Sequence, residues 1–168
     1  WIKVGWAQGD QPPPTPLPTD NPENLDCRDR PLEELNSASG VLPLYLDLPL
    51  AQRLFPILSQ VLAPLHLAEL LATTRLVGME CPGLHSIFSG LELTHSAHAA
   101  DEPKMAYQVV TCNPKLSMLL MEINTPGMEG KVKAFIRPQA RKQAAFTQVS
   151  RRADSEEFAS QRAIVIGG

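Results

Sequence analysis

His66 and Glu69 stand three residues apart in a segment, residues 65–77, whose apolar spacing is helical. Side chains at i and i+3 of a helix share a face, so this imidazole and this carboxylate can form an acid/base pair. The positive end of a helix dipole lowers an imidazole's pKa and keeps it neutral, as a general base requires. The competing reading makes His66 a packed histidine bonded to backbone and Glu69 the exposed polar position of the helix; for Glu69 the pattern favours exposure. Asp47 is polar inside an apolar segment, which fits either a helix N-cap or a catalytic carboxylate. His85 falls in a Pro-Gly-Leu-His-Ser turn and reads as loop surface. His95 and His98 are spaced like metal ligands, but no third ligand lies near them in the sequence. Cys27, Cys81 and Cys112 are odd in number and lack any CxxC spacing, so they form neither a disulfide framework nor a zinc site. Reduced thiols in a cytoplasmic protein are expected.

The elements that would position these groups follow from hydrophobic period. A short helix is expected over residues 30–37 and a turn at Ser39-Gly40. Residues 41–46 are apolar, but Pro43 and Pro49 make them a loop crossing a buried surface more than a regular strand. Leu65, Ala68, Leu71, Ala72 and Leu76 trace a helix that Leu67 and Leu70 make apolar over most of its circumference, with Gly78 as its stop. Such a helix is usually wrapped by a sheet. The period then changes to two. Residues 86–95 place Ile87, Leu91 and Leu93 on one face, and residues 104–111 align Met105, Tyr107 and Val109. Residues 116–124 are apolar enough for a central strand. Residues 130–137 turn Val132, Ala134 and Ile136 inward and Lys131, Lys133 and Arg137 outward. Turn residues separate them at 101–103, 113–114 and 125–127. One buried helix followed by four antiparallel strands is an α+β layout.

Composition bounds the rest. The chain has 168 residues, 43% hydrophobic and 20% charged, with a net charge of −3, which suits one globular domain with tails and excludes wholesale disorder. An acidic balance argues against a general nucleic-acid binder. Seven basic residues and no acidic one lie between Lys131 and Arg152, without the aromatic interleaving of a nucleic-acid surface, so they read as a solvated strand face plus linker. No apolar run reaches the ~18 residues of a membrane span. The start shows no signal peptide, and the absence of an initial Met leads us to expect an upstream segment. Six of the 16 prolines fall between Pro12 and Pro22, a polyproline-like spacer. Residues 1–40 are therefore read as an arm, from which Trp1–Val4 could supply a first strand; 41–138 as the domain; and 139–168 as a linker and a stub.

Residues 75–93, RLVGMECPGLHSIFSGLEL, resemble the MaoC-like, (R)-specific enoyl-CoA hydratase family. There the central helix ends in a GxxxPG turn followed by a Ser-Ile-Tyr/Phe strand, matched here by Gly78, Pro82, Gly83, Ser86, Ile87 and Phe88. The resemblance runs forward to Pro138 and back to about Val41, near 100 of 168 residues. It implies a hotdog fold, an antiparallel sheet around a central helix, with pairing of two hotdogs edge to edge into a homodimer or pseudo-dimer. It also implies substrates that are enoyl or hydroxyacyl thioesters carried on coenzyme A or an acyl carrier protein, in fatty-acid-type metabolism. The family's Asp-x-Asn-Pro-x-His segment is not kept: Gly40 stands for its Asp and Tyr45 for its His. Against that frame the catalytic candidates are His66, Asp47 and Glu69, and the substrate-binding candidates are Tyr45, Leu65, Gly83 and Ser86. A lapsed hotdog kept for dimerisation or substrate presentation, and thioester hydrolysis through Glu69, are the alternatives. No metal and no cofactor are expected in this domain. Residues 162–168, RAIVIGG, resemble the first strand of a short-chain dehydrogenase/reductase, which would bring NAD(P) only with a downstream domain.

Overall fold

The computed structural model describes residues 17–19, 26–96, 102–138, 142–152, 154, 156–157, 159–162 and 164. Two compact units divide at Pro138/Gln139. In the first, α1 (Leu32–Leu35) leads into β1 (Ser39–Pro43), three helices α2 (Leu48–Leu54), α3 (Pro56–Val61) and α4 (Pro64–Arg75), and four strands: β2 (Ser86–His95), β3 (Lys104–Asn113), β4 (Met118–Asn124) and β5 (Met128–Ile136). The strands form one antiparallel sheet in the order β1-β3-β4-β5-β2. In the second unit the described residues include one short helix, α5 (Phe146–Val149). Residues 1–4, the proline-rich stretch 12–16 and most of the 162–168 stub lie outside the described residues.

The helix and the sheet bury each other. Ala68, Ala72, Leu76 and Val77, from α4 and the turn after it, share a core with Met105, Tyr107 and Val109 of β3, Leu119 and Met121 of β4, and Val132 and Ala134 of β5. Each Val, Leu or Met among them contributes on the order of 1.5–3 kcal/mol when fully removed from water. Period two places these residues on one sheet face, as the sequence indicates. Ile87 departs from its expectation: it is 46% exposed. Ser89 is skipped in the β2–β5 register, which changes the face presented on either side of it.

Two expectations need correction. Residues 39–43 are a strand, not a loop: Ser39 pairs with Gln108 and Pro43 with Lys104. Because β1 is an edge strand and Pro43 its last residue, the missing proline N–H costs little in the ladder. The sheet thus has five strands rather than four. Residues 48–61 form α2 and α3, each entered through a proline in its first turn, where a proline's absent N–H is not missed. At the far end of α4, Gly78 is no simple stop. The backbone continues through a wider turn, Leu76–Glu80, in which Cys81 N–H donates to the Leu76 carbonyl five residues back, at 2.7 Å.

Candidate active site

Glu69 sits in the second turn of α4, and only 1% of it is exposed. That overturns the expected solvent-facing position. A carboxylate so buried needs partners, since an unpaired buried charge is costly. Glu69 has two. Its Oε1 accepts from the Gly127 N–H at 2.7 Å. Its Oε2 lies 3.0 Å from His66 Nδ1, the His66 side chain itself being 12% exposed. With Glu69 ionised, Nδ1 carries the proton and donates, which leaves Nε2 as the basic nitrogen. Nε2 has no hydrogen-bond partner among the described residues.

Three elements converge there. Gly127 belongs to the β4–β5 turn, which Thr125 shapes: its Oγ1 donates to the Met128 carbonyl at 2.7 Å and accepts from Met128 N–H at 3.0 Å. The Gly127 carbonyl accepts from Ser96 N–H at 3.0 Å, tying in the end of β2. His95, the last residue of β2, sets its ring edge-on against His66 with centroids 5.5 Å apart. Gly127 is required for want of a side chain. A Cβ there would lie 2.5 Å from His66 Cε1, 2.7 Å from its Nδ1 and 2.9 Å from Glu69 Oε2. The first turn of α4 adds a third feature. Leu67 N–H closes the first helical bond, to Ala63, so the N–H groups of Leu65 and His66 have no acceptor within the helix.

Of the other expected site residues, Leu65 stays beside His66 in the first turn of α4, and the rest are engaged in other contacts. Asp47 caps α2, its carboxylate accepting from Leu50 N–H at 2.9 Å. Tyr45 lies under the Arg75 guanidinium, 4.7 Å from ring centroid to Cζ. Leu65 packs half-buried on the core. Gly83 turns the chain with φ +92° and bridges Asp29, and Ser86 donates its hydroxyl to the Val77 carbonyl at 2.9 Å. Gly83 and Ser86 thus build the turn after α4. His85 holds a positive φ of 61° in that turn. No group of three metal-ligating side chains occurs among the described residues, and His98 lies outside them. Sequence reasoning missed Gly127 and the place of His95. The Pro-Gly dipeptide signalled a turn, and nothing local showed which helix the turn would meet.

A second polar cluster is structural. The Tyr107 hydroxyl donates to Glu80 at 3.1 Å, and Arg28 pairs with the same carboxylate at 2.9 Å. Burial, then the Glu80 charge, pushes the Tyr107 phenol up to about 12, and burial above all pushes the Cys81 thiol up to about 11. Both groups hold their protons more tightly when folded, so their contribution is full at low pH and is lost as pH rises through the folded values. Stability is therefore expected to fall between pH 9 and 12, from the ordinary thiol value to the raised phenol value. Urea midpoints measured across that range check it, and Tyr107→Phe should lessen the fall above pH 10 and remove the part above pH 11, which Cys81 does not supply.

No family model matches the chain, and no curated protein does. Solved structures similar to it include the following two. One is described as the (R)-hydratase from A. caviae involved in PHA biosynthesis, 17% identical over 60% of this chain and 96% of that one, with a TM-score of 0.42. The other is a protein from Archaeoglobus fulgidus, 12% identical over 73% of this chain and 85% of that one, with a TM-score of 0.34. No helix among the described residues is long and apolar enough to cross a membrane. A five-stranded antiparallel sheet in the order β1-β3-β4-β5-β2, closed on the helix that enters between β1 and β2, makes this chain an α+β domain of the hotdog fold.

Proposed function

We propose that the domain binds acyl thioesters and hydrates a trans-2-enoyl thioester, or dehydrates the (R)-3-hydroxyacyl counterpart, with His66 as general base and Glu69 as the residue that orients it. The observation that carries this reading is the buried chain of contacts from the Gly127 N–H through the Glu69 carboxylate to His66 Nδ1, at 2.7 and 3.0 Å. It fixes one tautomer and leaves Nε2 to act. In the forward direction Nε2 takes a proton from water and the water oxygen bonds to Cβ. The double-bond pair moves to Cα as a thioester enolate, and the imidazolium returns its proton to Cα. The free N–H groups at the start of α4 are the donors available to the developing oxyanion. The reaction is redox-neutral and is proposed to use no cofactor; NAD(P) enters only with a reductase domain downstream.

Coenzyme A or an acyl carrier protein is the proposed carrier. A second copy, or an upstream hotdog of the same polypeptide, is the proposed partner along the edge strand β2, where Ile87 and Phe88 are exposed. Paired edges are protected edges. A second reading, a lapsed hotdog kept for assembly, draws on Tyr45 and Asp47, which are taken up by Arg75 and by the cap of α2. The deciding experiment is hydration of crotonyl-CoA, followed as loss of enoyl absorbance. Turnover that drops about 10²–10⁴-fold in His66→Ala supports the dyad. A folded protein without turnover sinks the hydratase reading and leaves the assembly module.

A further inference from the structure

Arg75, in the last turn of α4, is 9% exposed and has no carboxylate partner among the described residues. One terminal nitrogen donates to the Pro43 carbonyl and the guanidinium lies over the Tyr45 ring. Its Nε is buried with no hydrogen-bond partner, the sole such side-chain atom among the described residues. A buried cation left with a carbonyl, an aromatic face and an idle donor is short of an anion. Beside it, between α4 and the α2–α3 segment, opens a cavity of about 160 Å³ lined by Tyr45, Leu50, Phe55, Leu71, Ala72 and Arg75. Asp47 also borders it; its Oδ1 accepts from Leu50 N–H at the exposed start of α2, and it forms no ion pair with Arg75.

We propose that this cavity is a binding site for a short-chain monocarboxylate, with Arg75 holding the carboxylate and the leucines and Phe55 enclosing the alkyl body. Planar guanidinium and carboxylate match in shape and charge, and such pairs are stronger than neutral hydrogen bonds. The apolar lining excludes a bare inorganic anion as the better fit, and the volume is below the ~300–1,000 Å³ of pockets for drug-sized ligands. The site is separate from the dyad. At about 100° per residue, Leu71 and Arg75 lie roughly 120–180° around α4 from His66 and Glu69, so the inference does not rest on the proposed hydration.

The test titrates the full chain with butyrate and with neutral butyramide, read by calorimetry and by amide chemical shifts of α2 and α4. Butyrate is expected to bind with a Kd on the order of 1 mM, modest because it has few atoms, and butyramide at least ~10-fold more weakly. Arg75→Met should weaken butyrate by about 10-fold or more. Should that variant fail to fold, Leu54→Glu decides the matter. Leu54 borders the cavity yet is 58% exposed, so a carboxylate there repels the ligand while sparing the core. Equal binding of the two probes, no binding at ten times the expected Kd, or butyrate affinity unchanged in either folded variant overturns the proposal.

Discussion

Gly127→Ala is expected to cut turnover of an enoyl thioester by about 10²-fold and to lower stability by about 2–4 kcal/mol. The new methyl carbon would stand 2.5 Å from His66 Cε1 and 2.9 Å from Glu69 Oε2, well inside van der Waals contact, so imidazole and carboxylate must both move. Neither has room. Glu69 is enclosed on α4, and the turn that holds Gly127 is braced by Thr125. Any retreat that relieves the overlap lengthens the 2.7 Å bond from Gly127 N–H to Oε1, leaving a buried carboxylate partly unpaired. Equilibrium urea unfolding reads the stability loss and crotonyl-CoA hydration reads the activity loss. Wild-type stability in the variant would show that Glu69 is not held as described. Lost stability with unimpaired turnover would separate the cluster from catalysis.

Gly83→Ala should destabilise the domain by about 3 kcal/mol or more, lowering Tm by roughly 10 °C, without touching the dyad. Two costs combine. The backbone there has φ +92°, which side chains of L residues rarely adopt, and an added Cβ would run into the Arg28 carbonyl, with Arg28 C at 3.0 Å. That carbonyl is not free to withdraw, because it accepts from Leu84 N–H at 2.7 Å while Arg28 N–H donates to Met79 at 2.8 Å. The segment at residues 28–29 and the turn after α4 are therefore stitched together through a gap that fits only glycine. A Tm within a few degrees of wild type would mean that the 28–29 segment detaches at little cost.

The core was legible because it is periodic. Met105, Tyr107 and Val109, and Val132 and Ala134, alternate cleanly and are buried as that alternation requires. The α4 helix was legible from its apolar circumference, and its end within two residues. What misled was polarity read locally. Glu69 looks like the wet side of a helix, because the partners that make its burial tolerable, Gly127 and the β4–β5 turn, lie 58 residues away. Pro43 looks like a strand breaker, because only the sheet order shows that β1 is an edge. Helices α2 and α3 were not anticipated: Pro49 read only as the end of an apolar loop, whereas it and Pro56 each stand in the first turn of a helix. Arg75 gave no signal beyond a basic residue in a helix's last turn.

The two peptide planes that meet at Gly127 are each moored: the one before it by its N–H to Glu69, the one after it by its carbonyl to Ser96. Peptide planes are stiff, and the α-carbon between them is the joint. Glycine makes that joint the loosest the chain can build, yet two moorings lock it. The end of β2 and the buried carboxylate are thereby linked like two arms on one pivot. A shift of the sheet edge at Ser96 turns the plane that follows Gly127, and the carboxylate feels the torque through the plane that precedes it. The alignment of His66 is in this sense a property of the sheet's edge as much as of the helix that carries it.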